Sequence, residues 1–476
     1  MSNLKHYLWS AFNKFGVEIL TFIGNVLLAR ALSPEDFGLI AMLAIFSSIA
    51  MTLTDAGFND CLIRKQNSDK YDFGTIATYN VFVSCVIYLL IYISAPLIAS
   101  AFNRMELIPL ARIMCISIIL RSFTLSGFVQ LSKELKFKQL AYINILTSLC
   151  SLIVTYIGAL QGLGYWALGI QPIVISVFNI LFLVTIAKWR PYFCFYYSRF
   201  KDMFSYSSNL LLSYIVNTIG NNLYSFFIGK GYSTSDLGYY NQAHKMQMVP
   251  TQGINGIVLT TSYPIIAHEK DSAKRYQLYV NLFNEYVFIL SFVVFALISV
   301  SYSVFALLFG EEWLPCVELF KFFMLISLFN PIITINANII KIQGYSGVYR
   351  NLTFLRNTLQ ILSVLVTYKI SIKAIIIGQI VATGISALCD MYICGRTIRF
   401  NFGTQIKMYL DKVLKPFLAY VISIILTYAI SSPYCKDLVA LSLYIVSFVI
   451  ICIILKDQTF LSLLTKLKHL LKSNEK

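Results

Sequence analysis

The chain carries little charge for its length: Asp, Glu, Lys and Arg make up 13% of its 476 residues, whereas hydrophobic residues make up 58%. Soluble globular domains carry roughly 25% charged residues. This composition, with a mean hydropathy of +0.71, therefore excludes an ordinary soluble protein. The apolar stretches run to about 20 residues or more, which is the length that crosses a hydrocarbon core of ~30 Å as a helix.

The sequence also lacks the patterns of common metal and catalytic sites. The ten cysteines are scattered without a CxxC pair, and no two of the four histidines, His6, His244, His268 and His469, are close enough in sequence to suggest a ligand cluster. No P-loop, HExxH or Ser-His-Asp pattern occurs. The expected external connections are too short for a folded catalytic domain. We therefore expect no metal, no cofactor and no enzymatic activity.

Hydropathy predicts fourteen membrane-spanning helices. If the N-terminus is cytoplasmic, the cytoplasmic connections hold 26 Lys and Arg residues and the external connections hold six. Cytoplasmic loops are enriched in these residues, so both termini are predicted to lie in the cytoplasm. This bias accounts for most of the net charge of +16. Contact with anionic membrane lipids is therefore expected, and a nucleic-acid partner is not.

A short pattern occurs twice, about 200 residues apart, each time between two apolar segments. Its members in the first copy are Arg30, Ser33, Asp36 and Gly38, and in the second copy Lys230, Ser233, Asp236 and Gly238. In each copy the serine can cap the following helix, and the aspartate falls in its first turn, where the helix dipole favours an anion. The repeat predicts a duplicated bundle of membrane helices, with these residues in a structural role. Such duplication is typical of transporters.

Polar residues inside the predicted spans are candidates for a substrate pathway. Six cations fall within spans: Lys14, Arg112, Arg121, Lys245, Lys321 and Arg356. Intramembrane charges normally face a bundle interior or a water-filled cavity. Arg112, Lys321 and Arg356 could instead extend to the membrane interface. The hypothesis is a cavity shared by the two halves and lined by Lys14, Glu18, Asn25, Asn217, Asn221, His244 and Lys245. The alternative for the first two is an internal ion pair, because they lie one helical turn apart.

Residues 29–38 resemble the "ARxLxPxDFG" start of Wzx-type polysaccharide flippases. Residues 55–64, 133–140 and 164–168 resemble further motifs of that family, in the branch of the colanic-acid exporters. These flippases belong to the multidrug/oligosaccharidyl-lipid/polysaccharide exporter superfamily. The resemblance implies an all-α integral membrane protein with two pseudo-symmetric six-helix lobes, expected at residues 1–190 and 200–400. A further helix pair is expected at 411–456, and residues 457–476 are predicted to form a basic amphipathic helix on the inner leaflet.

The resemblance also implies a function. It implies transport of an undecaprenyl-pyrophosphate-linked oligosaccharide from the inner to the outer leaflet of the bacterial plasma membrane, by alternating access, for O-antigen, capsule or exopolysaccharide assembly. A polysaccharide polymerase, other assembly proteins and a coupling ion, H⁺ or Na⁺, are the expected partners besides the substrate. One alternative is an ion-coupled multidrug or cation antiporter of the same fold. Another is a membrane polysaccharide polymerase or ligase, which normally carries a sizeable external loop.

Overall fold

A computed structural model describes residues 2–65, 67–269, 271–398 and 401–473. Within these residues the regular structure consists of nineteen α-helices and one short 3₁₀ helix, without strands, which confirms the predicted all-α class. Ten helical segments of the described residues are long and apolar enough to cross a membrane. The protein is therefore a multi-pass membrane protein.

The chain forms two compact units, Met1–Gly238 and Tyr239–Lys476. Nine helices lie in the first unit: α1 (Ser2–Ala31), α2 (Pro34–Asp55), α3 (Phe58–Arg64), α4 (Lys70–Phe102), α5 (Leu107–Met114), α6 (Ile116–Lys133), α7 (Phe137–Leu160), α8 (Tyr165–Thr185) and α9 (Tyr197–Gly231). Helix α10 (Thr234–His268) begins there and continues into the second unit. The other described helices are α11 (Ser272–Ser299), α12 (Ser301–Leu308), α13 (Pro315–Ser327), α14 (Asn330–Ile342), α15 (Ser346–Thr367), α16 (Ile372–Ile398), α17 (Phe402–Leu426), α18 (Pro433–Ile454) and α19 (Gln458–Ser473), with the 3₁₀ turn Glu311–Trp313 after α12.

Each of the fourteen predicted spans falls on one of these helices or on two consecutive ones. Ten correspond to the segments that satisfy both length and hydropathy. The other four fall on α9, α10, α15 and α17, which have 35, 35, 22 and 25 residues. These four are long enough to span but carry more polar residues, so the count of fourteen stays a prediction.

Helix α9 belongs to the first unit because it packs along α2 through polar contacts. The hydroxyls of Thr52 and Thr218 are 3.0 Å apart, and the Asn222 amide donates to the Ser48 hydroxyl at 3.1 Å. The boundary between the compact units therefore follows α9 and lies later in the chain than the expected lobe boundary at residues 190–200. The two six-helix lobes remain a prediction.

The connection between α8 and α9 is held against the rest of the first unit by side-chain contacts. The Trp189 indole donates to the Gln130 amide oxygen at 3.0 Å, and the Thr78 hydroxyl donates to the Cys194 carbonyl at 3.0 Å. The Arg199 guanidinium lies 3.0 Å from the carboxylate of Asp72, which is fully buried. These contacts fix the position of the connection beside α4 and α6.

The predicted C-terminal amphipathic segment forms α19, anchored at its start by Asp457. This buried carboxylate accepts from the Lys412 ammonium at 2.7 Å and from the Lys415 ammonium, and also from the Phe460 amide at 3.0 Å. A second contact joins Lys466 to Glu285 at 2.5 Å. Residues 474–476 of the predicted tail lie outside the described residues.

The two copies of the repeated pattern form the same local structure. Asp36 N donates to the Ser33 hydroxyl at 3.3 Å, and Ser33 N donates to the Asp36 carboxylate at 2.9 Å. The corresponding distances in the second copy, between Ser233 and Asp236, are 3.1 and 3.3 Å. Each copy is thus a capping box, in which serine and acid satisfy each other's backbone amides.

The two turns touch each other within the first unit. A Cβ added to Gly38 would overlap the carbonyl oxygen of Thr234, and a Cβ added to Gly238 would overlap the carbonyl oxygen of Pro34. Only glycine permits this approach of one backbone to another. Close packing of the two backbones therefore requires glycine at the end of the pattern in both copies.

Candidate functional site

Helix α1 packs on α7 with one face and leaves another face open. Gly16 and Gly24 lie against Ile145 and Leu152 of α7, and the Asn144 amide donates to Asn13 at 3.2 Å. Of the three candidates on α1, Lys14 and Glu18 are exposed and Asn25 is half-buried. Lys14 and Glu18 form no ion pair in the described structure, so the alternative of mutual neutralisation is not realised.

Helix α9 also divides its amides between two faces. Asn222 contacts α2, as described above, whereas the candidates Asn217 and Asn221 are exposed. The two candidates therefore do not share the contact that Asn222 makes with α2.

The remaining candidates lie on α10 in the second unit. The His244 ring is half-buried and lies 5.0 Å from the Phe323 ring, measured between centroids. The neighbouring Lys245 side chain is exposed. Five of the seven candidates thus lie in the first unit and two in the second, and a cavity shared by all seven stays a prediction.

The first unit itself contains an open cavity of about 580 Å³ that the sequence did not identify. Residues of α2, α3, α6, α7 and α8 line it. The polar lining residues are Asn59, Ser117, Arg121, Thr124, Ser132, Asn144, Gln171, Ser176 and Asn179, and the apolar ones include Met51, Phe128 and Ile175. We call this space the Arg121 cavity. Most of its polar groups are amides and hydroxyls.

Arg121 is the charged residue of this cavity. Its guanidinium donates to the Met51 sulfur at 2.7 Å, and Asp55 is near enough to interact with it electrostatically. No carboxylate among the described residues lies within ion-pair distance of Arg121. A cation inside a membrane bundle normally has a close partner or faces water, so this guanidinium is available to a ligand.

The lining of the Arg121 cavity includes acceptors without a partner among the described residues. The side-chain oxygens Oδ1 of Asn59 and Asn179, both in the lining, are buried and accept no hydrogen bond from described residues. Buried polar groups are nearly always satisfied, so each of these oxygens calls for a donor from water or from a ligand. The cavity therefore combines a donor suited to phosphate with acceptors suited to hydroxyls.

The other intramembrane arginines have close partners. These partners are not visible in the sequence, so the sequence alone could not separate the arginines from one another. Arg112 stacks over the Tyr92 ring, 4.2 Å from its centroid. Arg356, which the sequence left free to extend to the interface, instead forms a 2.8 Å ion pair with the buried carboxylate of Asp390. The sequence signal for Arg121 was its place among the six intramembrane cations. Identifying its neighbours required the packing of five helices.

Comparison with known proteins places the chain in a functional context. It is 24% identical over 418 residues to the teichuronic acid biosynthesis protein TuaB of Bacillus subtilis (strain 168), covering 86% of this chain and 85% of TuaB. The fold is similar to a solved structure of the lipid II flippase MurJ in an inward closed conformation. Its TM-score is 0.74 at 15% identity, with coverage of 95% of this chain and 99% of that one.

A second solved structure shows the same kind of fold. It is the inward-facing conformation of a multidrug resistance MATE family transporter of the MOP superfamily, with a TM-score of 0.61 at 15% identity, covering 82% of this chain and 95% of that one. These two structural likenesses confirm the predicted fold. The family described as "Polysaccharide biosynthesis protein" matches residues 27–318. The chain belongs to this polysaccharide biosynthesis protein family.

Proposed function

We propose that this protein is a flippase that moves an undecaprenyl-pyrophosphate-linked oligosaccharide from the cytoplasmic to the outer leaflet by alternating access, for assembly of a surface polysaccharide. The observation that carries the proposal is the Arg121 cavity, found in a multi-pass member of a polysaccharide biosynthesis family. The named relatives support it: TuaB is a teichuronic acid biosynthesis protein and MurJ is a lipid II flippase.

The chemistry of the Arg121 cavity matches the two polar parts of such a substrate. A guanidinium presents a planar set of donors to phosphate oxygens. The free amide oxygens of Asn59 and Asn179 accept from sugar hydroxyls, and the amide nitrogens of the lining can donate to them. A volume of about 580 Å³ is in the range of small-molecule sites. It suits a few sugar units rather than a long glycan.

The same proposal includes location and partners. The protein would lie in the bacterial inner membrane with both termini in the cytoplasm, as the 26 cations against six in the connections favour. Its partners would be the lipid-linked substrate, a polysaccharide polymerase and other assembly proteins, and H⁺ or Na⁺ would be the coupling ion. We propose transport rather than catalysis.

A multidrug or cation antiporter is the second candidate, because the fold is also similar to a MATE family transporter. A pathway for cationic drugs needs acidic groups facing the substrate. In the Arg121 cavity the charged lining residue is an arginine, and the acid Asp55 interacts with it. A cationic drug beside that guanidinium would be repelled, so the lining favours the phosphate-bearing substrate.

Reconstitution in liposomes tests the proposal directly. A lipid-linked oligosaccharide with a fluorescent sugar is placed in both leaflets, and the fraction that becomes accessible to an added quencher is followed with time. Arg121→Ala should slow flipping by at least about tenfold, since a hydrogen bond to a charged group contributes about 1.5–3 kcal/mol. Arg121→Lys should retain part of the rate because the charge remains.

The matched control is Arg112→Ala, which removes an intramembrane arginine that stacks on Tyr92 outside the cavity. This variant should flip the lipid-linked oligosaccharide at the wild-type rate. Normal flipping by Arg121→Ala would contradict the role of the cavity. Efflux of a cationic drug without any flipping of the glycan lipid would instead favour the antiporter.

A further inference from the structure

A second pocket lies at the end of the first unit where the chain concentrates its cations. Its volume is about 350 Å³, and it is formed by the start of α4, the turn between α6 and α7, and the connection from α8 to α9. The lining includes Lys70, Ser126, Gln130, Lys188, Trp189 and Arg190. We call it the Trp189 pocket. None of these residues lines the Arg121 cavity.

The pocket has an excess of positive charge. Among the described residues, the acidic residue of its lining is Glu134, which is 2.6 Å from Lys136 and also accepts from Gln130 at 2.8 Å. These two partners lower the pKa of Glu134, so it remains ionised and keeps Lys136 neutralised. Lys70, Lys188 and Arg190 form no ion pair within the part of the chain that the structure describes. Three cations therefore face the pocket without a protein counter-charge.

One polar group inside the pocket has no hydrogen-bond partner among the described residues. The Ser126 side chain is 2% exposed and lines the pocket, yet its hydroxyl has no hydrogen-bond partner among the described residues. A buried hydroxyl without a partner is uncommon in native proteins. Three cations at the mouth and an unsatisfied hydroxyl deeper in the pocket are the complement of an anion that carries several acceptor oxygens.

The walls of the pocket are preformed. The Trp189 indole is fixed by its hydrogen bond to Gln130, at 3.0 Å. The Lys70 ammonium lies 5.1 Å from the Tyr71 ring centroid and 5.8 Å from that of Tyr192. Trp and Tyr are enriched where membrane proteins meet lipid head groups, and cations in the same zone are attracted to acidic lipids. The ligand would thus come from the membrane surface.

We propose that the Trp189 pocket binds the phosphate head group of an anionic phospholipid. The phosphate would contact Lys188, Arg190 and Lys70, and the Ser126 hydroxyl would donate to one of its oxygens. A volume of about 350 Å³ lies at the small end of ligand sites, which suits one head group better than a glycan on pyrophosphate. The bound lipid would bridge three chain segments. This site is independent of the proposed transport function.

Lipid titration of the purified full-length protein in detergent tests the proposal. Dioctanoyl phosphatidylglycerol is added, and thermal unfolding is followed by tryptophan fluorescence, with dioctanoyl phosphatidylcholine as the neutral comparison. We expect a saturable rise in Tm with the anionic lipid only, because a ligand that binds the native state stabilises it. Lys188→Gln combined with Arg190→Gln should raise the half-saturating concentration by about tenfold or more, since each cation near an acidic lipid contributes about 1 kcal/mol.

The matched control removes two exposed cations elsewhere, by Lys201→Gln with Lys407→Gln, and should leave the titration unchanged. Ser126→Leu fills the interior without changing charge and should weaken the response as well. If that variant does not fold, Ser126→Ala, which removes only the hydroxyl, takes its place.

Four results would overturn the proposal. Equal effects of the two double variants would mean general surface attraction, and equal effects of the two lipids would mean no recognition of charge. Saturation by inorganic phosphate at the same concentration would indicate a site for the free anion. Tighter saturation by undecaprenyl pyrophosphate, lost in the Lys188→Gln/Arg190→Gln variant, would assign the pocket to that lipid instead.

Discussion

The two compact units each contain an arginine inside the membrane region, and they treat it differently. In the first unit Arg121 faces a cavity and contacts a methionine sulfur. In the second unit Arg356 is 20% exposed and pairs at 2.8 Å with Asp390, which is 3% exposed. Similar residues in similar helical surroundings are therefore neutralised in one unit and left available in the other.

The difference separates charges that maintain structure from charges that can bind a ligand. An ion pair inside a protein is costly to break, because the partner left behind is buried without compensation. A cation that faces an aqueous cavity remains hydrated, and its loss leaves no such partner. Stability and transport should thus respond in opposite ways to substitution at the two arginines.

The largest expected effect on stability comes from breaking the Arg356–Asp390 pair. Arg356→Ala should destabilise the second unit by roughly 3 kcal/mol, because the buried carboxylate of Asp390 loses its partner. Arg121→Ala should change stability little while reducing flipping. Thermal unfolding of both variants in the same detergent measures the comparison. Arg356→Met with Asp390→Leu is the control and should regain most of the lost stability. If Arg121→Ala lowered the stability as much as Arg356→Ala, Arg121 would have a structural role and the two arginines would not differ.

A smaller effect is expected where the two copies of the repeated pattern meet. Gly238→Ala should destabilise the first unit by about 1–3 kcal/mol, because the new methyl group would overlap the backbone carbonyl of Pro34. Gly253→Ala, in the same helix α10 but in the second unit, has open space around it and should be neutral or stabilising by up to about 1 kcal/mol. Thermal unfolding again gives the measurement. Equal responses of the two glycines would show that the contact between the turns is loose.

A more local effect concerns the buried carboxylates that each unit holds with two cations, Asp72 in the first and Asp457 in the second. Burial alone would raise the pKa of Asp457, but hydrogen bonds from Lys412, Lys415 and the Phe460 amide lower this pKa to about 2. A lowered pKa means that the stabilisation is complete above about pH 4, the ordinary range of an aspartate, and is lost as the pH falls towards 2.

Hydrogen exchange in α19 between pH 6 and pH 2 should therefore show protection that declines only at the acid end of the range. Asp457→Asn keeps a capping side chain but removes the charge, and it should expose α19 already at pH 6. Protection in wild type that is lost near pH 5 would contradict the lowered pKa.

The sequence predicted the elements better than the site. Apolar length and the repeated pattern were enough for the all-α membrane fold, and local rules were enough for the caps at Ser33 and Ser233, because both depend on residues close in the chain. The Arg121 cavity depends on five helices from α2 to α8, and the membership of α9 in the first unit depends on hydroxyl and amide contacts with α2. Spacing within one helix carries no information about such neighbours. For that reason the sequence placed Lys14 in the expected cavity, beside Glu18 one turn away, and did not single out Arg121.

The smallest expected effect is at the two capping serines, where the two copies should behave alike. Ser33→Ala and Ser233→Ala each remove the hydroxyl that accepts from the aspartate amide, at 3.3 and 3.1 Å. Each substitution should lower the free energy of unfolding by about 1 kcal/mol. The stability losses of substitutions at distant sites that share no partner usually add. The two turns touch through Gly38 and Thr234, so the stability loss of the double variant should differ from the sum of the two single losses. Thermal unfolding of the two single variants and the double variant provides the cycle. Strict additivity would show that the contact between the turns does not depend on their caps.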